Sequence, residues 1–237
     1  MDDTAIIIGN ANYASMPLKN PVNDARAMAD KLGKLGFDVS LHTNISQNQM
    51  KRAVNDFSEK LKEDGGIGMF YYAGHGLQDK GQNYLVPVNA KIQKPSDIEM
   101  ETLRLRRVLN SMEDAANRLN IVVLDACRDN PYHTSYHDPM DGGSRGGVKV
   151  STFEPVVAPF GTFIAYSTAP GRAASDGSGQ HGLYTEELLK VLDNAAGMKL
   201  EDIFKRVRSN VRKRSKNLQI PWENSSVEGD FYFINNK

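Results

Sequence analysis

The chain has 237 residues, of which 40% are apolar and 24% charged, a balance typical of a soluble globular protein with one sizeable core. Its formal net charge is zero, so no large uniform field toward nucleic acid or an anionic membrane is expected, and the basic residues between 206 and 216 are interpreted as a solvated helix face. The polar start differs from a signal peptide, and no stretch approaches 18 apolar residues. A single cysteine forms no internal disulfide. We therefore expect a cytoplasmic protein without nucleic-acid or membrane partners.

Apolar runs and helical periodicity alternate along the first half of the chain. Strands are predicted over residues 4–9, 37–41 and 66–73, with helices over 23–35 and from 46 to the glycines at 65–66. A hairpin is predicted over 77–88, turning at residues 79–81.

The second half continues the alternation, with one interruption. Predicted elements are a helix over 101–119, a buried strand over 121–124, a strand over 161–167 and helices over 183–192 and 200–215. Residues 129–159 contain two Gly-Gly pairs and almost no apolar periodicity, which indicates an irregular surface loop. The whole pattern predicts an α/β fold with a mostly parallel central sheet and helices on both faces.

Two predicted strands end in residues with catalytic chemistry. The strand over 121–124 leads to Asp125 and then to Cys127, and the strand over 66–73 leads to His75 between two glycines. Functional sites of open α/β sheets lie beyond the carboxyl ends of their strands. A free thiol has a pKa of about 8.5 and needs an adjacent base to become a nucleophile. The thiol and the imidazole are therefore candidates for a Cys-His pair.

Each residue alone has a simpler interpretation. A lone cysteine is more often a small buried apolar residue, and Gly-His-Gly could be a turn with a surface histidine. Together they fit the caspase spacing, in which the histidine precedes the cysteine by roughly 50 residues; here the separation of His75 from Cys127 is 52.

The sequence resembles the caspase-like cysteine peptidases of clan CD, family C14, over nearly its whole length. Aspartate at position 125, where animal caspases have glutamine, is similar to the metacaspase, paracaspase and bacterial orthocaspase branch. The resemblance implies one caspase-like (caspase-hemoglobinase) domain over 1–237, with a large-subunit-like segment over 1–128, a loop over 129–159 that is a candidate for processing, and a small-subunit-like segment over 160–237. The matching segments are Ala5-Ile6-Ile7-Ile8-Gly9-Asn10 with Tyr13, Val22-Asn23-Asp24-Ala25, Gly74-His75-Gly76, Asp125-Ala126-Cys127-Arg128, Ala165-Tyr166-Ser167-Thr168-Ala169-Pro170-Gly171 and Gly229-Asp230-Phe231-Tyr232-Phe233.

The resemblance also implies the components of an active site. Cys127 would be the nucleophile, His75 the proton donor to the leaving amine, and the backbone amides of Gly76 and Cys127 the oxyanion hole. Three acids fall at positions of the first substrate pocket, S1: Asp24, Asp125 and Asp176. Three unpaired carboxylates repel one another, so the pocket is expected to take Arg, and Lys less well. Asp24 has an alternative role as a helix N-terminal charge, and Asp176 as a turn residue.

Further expectations concern the substrate strand, processing and cofactors. Ala173, Ala174 and Ser175 would form a rim that pairs with an extended substrate, and Arg145 and Lys149 are candidate self-cleavage sites. Residues 77–83 hold one carboxylate, too few for Ca²⁺, so neither calcium nor another cofactor is expected. Trp222 is interpreted as a packing residue.

The leading hypothesis is a regulatory, Arg-directed cysteine endopeptidase whose partners are polypeptides with Arg or Lys at the cleavage site. The first alternative is a caspase-fold interaction module without turnover. The second is a protease that stays latent until a partner or dimerisation orders its loops.

Overall fold

A single sheet with helices on both faces organises the computed structural model, which describes residues 2–127, 156–169 and 179–234. The strands are β1 Thr4–Gly9, β2 Asp38–Thr43, β3 Ile67–Asp79, β4 Gln82–Leu85, β5 Leu103–Arg104, β6 Leu119–Cys127, β7 Thr162–Tyr166 and β8 Trp222–Ser225. The helices are α1 Pro21–Lys34, α2 Gln47–Asp64, α3 Asp97–Glu101, α4 Leu105–Asp114, α5 Leu183–Leu192 and α6 Leu200–Arg214.

The main sheet has the strand order β2-β1-β3-β6-β7-β8. Its first five strands are parallel and β8 runs antiparallel to β7. Side chains alternate between two cores: Ile7, Tyr71 and Val123 pack with α1, α5 and α6, whereas Ile8 and Leu124 pack with α2 and α4. The predicted fold class, a mostly parallel sheet covered on both faces, is confirmed.

The chain begins and ends its helices largely where the sequence predicts. Helix α2 begins after Ser46, whose side chain forms a capping box with Gln49, and it ends at Gly65 in the left-handed conformation. The hairpin is confirmed, since β4 pairs antiparallel with the end of β3. Trp222 is partly buried and stacks near Tyr166, with 6.3 Å between ring centroids, as expected of a packing residue.

Three details differ from the predicted elements. The helix predicted over 101–119 is wrong in extent: Thr102 is extended and β5 precedes α4, while Ala116 has a φ of 51° that ends helical geometry before β6. Strand β3 does not break at Gly74 but runs on to Asp79, because it pairs with β6 as far as His75 and with β4 from Gly76. Strand β8 was not predicted; it is short and lies at the sheet edge.

Candidate active site

His75 and Cys127 lie opposite each other at the carboxyl end of the sheet. The parallel register of β3 and β6 pairs Tyr71 with Val123 and ends with His75 beside Cys127. Neighbouring strands are about 4.8 Å apart, so the two Cα atoms are within reach of a Cys-His pair. For Cys127, the structure describes the backbone only. The sequence prediction that both residues reach one sheet edge agrees with this register.

The imidazole of His75 is buried and oriented by a backbone carbonyl. Its Nε2 lies 2.7 Å from the carbonyl oxygen of Met16. A carbonyl can only accept a hydrogen bond, so Nε2 carries the proton and the lone pair resides on Nδ1. No acidic third member is needed to fix this tautomer. Met16 could not be found from the sequence, because its contribution comes from the backbone.

Two tyrosines hold the backbone around the imidazole. The N–H of His75 donates to the Tyr13 hydroxyl at 2.9 Å, and the Tyr72 hydroxyl lies 2.7 Å from the His75 carbonyl oxygen. The rings of Tyr13 and His75 are 4.4 Å apart between centroids. A Cβ at Gly74 would lie 2.6 Å from the Tyr13 hydroxyl oxygen, so only glycine fits there.

The N–H of Gly76 points away from the hairpin. Val86 donates its N–H to the His75 carbonyl at 3.0 Å, and Gly76 pairs with Leu85. That bond makes Gly76 and Leu85 a non-hydrogen-bonded pair of the antiparallel ladder, so the N–H of Gly76 is directed to the opposite side, where β6 ends at Cys127. The direction suits the oxyanion role that the family resemblance implies for Gly76.

Asp24, in the first turn of α1, joins that helix to the start of α5. It is 2% exposed, and its Oδ1 and Oδ2 lie 3.2 and 3.1 Å from the N–H of Gly182, the residue before α5. The Nδ1 of His181 lies 2.8 Å from Asp24 Oδ1, and the His181 side chain is 27% exposed. The carboxylate therefore lies under a half-buried imidazole and beside a helix N-terminus.

Asp125 is held by a chain of hydroxyl groups. The Thr185 hydroxyl donates to Asp125 Oδ2 at 2.6 Å, and the Tyr71 hydroxyl lies 2.6 Å from Thr185 Oγ1. Since the single proton of Thr185 goes to the carboxylate, Tyr71 must donate to Thr185. Burial, followed by the charges of Asp125 and Asp24, raises the pKa of Tyr71 well above its ordinary value, which keeps this donor protonated. Both predicted pocket acids thus lie within electrostatic range of one phenol.

A third carboxyl shares the face of the sheet that carries Asp125. Glu223 of β8 pairs with Ala165 of β7, which pairs with Val123 of β6. Burial raises the pKa of Glu223 to about 7, although it forms an ion pair with Arg208 that acts in the opposite direction. Sequence reasoning missed Glu223, because its position depends on the unpredicted strand β8.

Several predicted site residues lie outside the ranges that the structure describes. They are the pocket acid Asp176, the rim residues Ala173, Ala174 and Ser175, and the candidate cleavage positions Arg145 and Lys149. Within the described ranges, no three His, Cys, Asp or Glu side chains are grouped to hold a metal ion. No helix in those ranges is long and apolar enough to cross a membrane.

Comparison with known proteins decides the family. A family model of the caspase domain matches residues 2–232, almost the entire chain. The chain belongs to the C14 caspase family of peptidases. The family assignment agrees with the mostly parallel sheet covered by helices.

Among curated relatives, the chain is similar to two mammalian proteins and one bacterial protein. It is 35% identical over 129 residues to human mucosa-associated lymphoid tissue lymphoma translocation protein 1, covering 54% of this chain and 15% of that protein. The mouse homologue is 34% identical over 129 residues, with the same shares of 54% and 15%. A probable protease of a Desulfuromonadales bacterium is 24% identical over 230 residues, 84% of this chain and 27% of that protein. The chain thus spans less than a third of each relative.

Proposed function

We propose that the protein is a cysteine endopeptidase that cleaves peptide bonds after Arg, and less well after Lys. The observation that carries the proposal is the register that sets His75 beside Cys127, with Nε2 of the imidazole bound to the Met16 carbonyl. This arrangement provides a nucleophile and a base whose lone pair resides on the remaining ring nitrogen, as acyl transfer by a thiol requires.

In the proposed reaction, Nδ1 of His75 accepts the thiol proton of Cys127, and the thiolate attacks the carbonyl carbon of the substrate. The N–H groups of Gly76 and Cys127 stabilise the oxyanion that forms. The C–N bond then breaks, and His75 returns the proton to the leaving amine. Water, deprotonated by His75, hydrolyses the thioester and regenerates the thiol.

The preference for Arg rests on Asp24 and Asp125. Both carboxylates are held by donors that stabilise negative charge: a backbone N–H and an imidazole for Asp24, and a hydroxyl for Asp125. A substrate acid would meet repulsion, and a difference of about 4 kcal/mol corresponds to roughly a thousandfold selectivity. Guanidinium is favoured over ammonium because it pairs with planar acceptors in a fixed fork. Asp176 is proposed as a third acid of the same pocket.

Fluorogenic peptides that differ only in the residue before the scissile bond test the proposal. Wild type should cleave the Arg peptide fastest, the Lys peptide more slowly and the Asp peptide not measurably. Cys127→Ala should abolish turnover, and His75→Ala should lower kcat by about a thousandfold, within the range known for general acid-base catalysis. Binding of a protein partner without turnover of any peptide would instead favour the interaction module.

Processing and metal dependence belong to the same proposal. Mass spectrometry of purified wild type should show scission after Arg145 or Lys149 that Cys127→Ala lacks. Activity should be unchanged by a chelator; activity restored only by adding calcium to chelated enzyme would contradict this. A regulatory role in the cytoplasm is proposed from the selectivity, and an activating partner or dimerisation remains an alternative means of control.

A further inference from the structure

Ser167 lies next to Asp125 on the neighbouring strand. The register of β6 and β7 pairs Leu124 with Tyr166. The N–H of Ser167 donates to the Leu124 carbonyl at 3.0 Å, so the ladder continues by one residue beyond the end of β7. Ser167 is therefore the lateral neighbour of Asp125, about 4.8 Å away between strands.

Both side chains are directed to the same face of the sheet. Val123 and Ala165 pack in the core under α1, α5 and α6, and Leu124 and Tyr166 pack in the opposite core. Side chains alternate along a strand, so Asp125 and Ser167 follow Val123 and Ala165 on the first face. That is the face on which α5 presents Thr185 to Asp125.

The hydroxyl of Ser167 is buried and makes no hydrogen bond to any residue that the structure describes. The residue is 0% exposed, and within the described ranges its Oγ has no hydrogen-bond partner. Its backbone is satisfied, since its carbonyl accepts from Nε2 of Gln219 at 2.8 Å. Buried hydroxyls are nearly always hydrogen-bonded, so an unused one beside a binding carboxylate indicates a ligand group that completes it.

We propose that Ser167 is a specificity-determining residue of the S1 pocket, where its hydroxyl accepts one N–H of the substrate guanidinium while Asp125 accepts another. This inference rests on the proposed function. A guanidinium presents donors in a planar fork and can bridge two acceptors on adjacent strands, whereas an ammonium is a compact charge that satisfies the carboxylate alone. Ser167 thus adds to the preference for Arg over Lys, because its hydroxyl binds a guanidinium N–H that an ammonium lacks.

The test compares Ser167→Ala with wild type on matched Arg and Lys peptides. Loss of a hydrogen bond to a charged donor should raise KM for the Arg peptide by about tenfold or more, with little change in kcat. KM for the Lys peptide should change less than about threefold, so the Arg/Lys preference falls. The melting temperature should not fall, because the removed hydroxyl has no partner among the described residues of the free protein.

Thr162→Val is the matched control, since Thr162 is 1% exposed and lies at the opposite end of β7. It should leave the Arg/Lys preference unchanged. The inference would be overturned if Ser167→Ala kept the wild-type Arg/Lys preference. It would also be overturned if Ser167→Ala and Thr162→Val both raised KM for the Arg and the Lys peptide by the same factor. Neither result would contradict cleavage after Arg. If wild type itself does not cleave after Arg, the proposed function fails and this inference fails with it.

Discussion

The imidazole of His75 on β3 and the carboxylates of Asp24 on α1 and Asp125 on β6 are held by opposite kinds of partner. His75 donates from Nε2 to a carbonyl, which fixes the tautomer and leaves Nδ1 as the ring nitrogen that can accept a proton. Asp24 and Asp125 accept from an N–H and a hydroxyl, which favour full negative charge. The imidazole is thus oriented by an acceptor, whereas the two carboxylates are oriented by donors.

Removing the charge of Asp125 should have the largest effect on the pocket. Asp125→Asn keeps the size of the side chain, so kcat/KM for the Arg peptide should fall by about a hundred- to a thousandfold through loss of a charged partner. The exposed Glu59→Gln makes the same change in net charge on α2 and should leave kcat/KM near wild type. A wild-type kcat/KM for the Arg peptide in Asp125→Asn would contradict the assignment of Asp125 to the S1 pocket.

On the imidazole side, the phenol of Tyr13 should matter for stability. Tyr13→Phe leaves the buried N–H of His75 without its acceptor, which should lower the free energy of unfolding by about 1–3 kcal/mol. Denaturant unfolding measures this. Tyr184→Phe is the control, because the equally buried Tyr184 hydroxyl has no partner among the described residues and its loss should cost almost nothing. Equal losses in both variants would show that the hydrogen bond to His75 contributes no stability.

A smaller effect is expected from the hydroxyl that orients Asp125. Thr185→Val keeps the shape of the side chain but removes the donor, so kcat/KM for the Arg peptide should fall by roughly tenfold. Thr185→Ser retains a hydroxyl and should recover most of the loss. If serine and valine behave alike, the effect comes from packing and not from the orientation of the carboxylate.

The third carboxyl, Glu223, should make the stability of the protein depend on pH. Its folded pKa of about 7 lies above its ordinary value of 4.5, so the folded state binds the proton more tightly than the unfolded state does. The associated stability is complete below about pH 4.5 and is lost as the pH rises through 7, an effect of up to about 3 kcal/mol. The free energy of unfolding, measured from pH 4.5 to above pH 7, should decline less in Glu223→Gln than in wild type. An identical decline in both proteins would show that another group is responsible.

The sheet, and the meeting of His75 and Cys127 at its edge, could be predicted from local signals. Apolar runs in the sequence end before Gly74 and Asp125 and so indicate the edge where His75 and Cys127 meet, and parallel pairing brings these two residues into register. The hydrogen-bond partners that orient His75 and Asp125 could not be predicted. Met16 acts through its carbonyl, and Thr185 reaches Asp125 across 60 positions of sequence, so neither leaves a pattern that spacing can reveal.

The edge strand β8 and the junction between β5 and α4 also could not be predicted from the sequence. Strand β8 has only four residues and is a strand because it pairs with β7. Its sequence is too short to show an alternating apolar pattern. The helix predicted over 101–119 looked continuous because apolar residues recur on both sides of its true start at Leu105. Local propensity could not show that Leu103 and Arg104 pair with the hairpin instead.

The carbonyl that orients His75 belongs to a loop between β1 and α1, and the side chain of Met16 in that loop is 52% exposed. The tautomer of His75 therefore depends on an exposed loop. Under the proposed function, a ligand that binds this loop and displaces the Met16 carbonyl should lower kcat without competing with the peptide substrate.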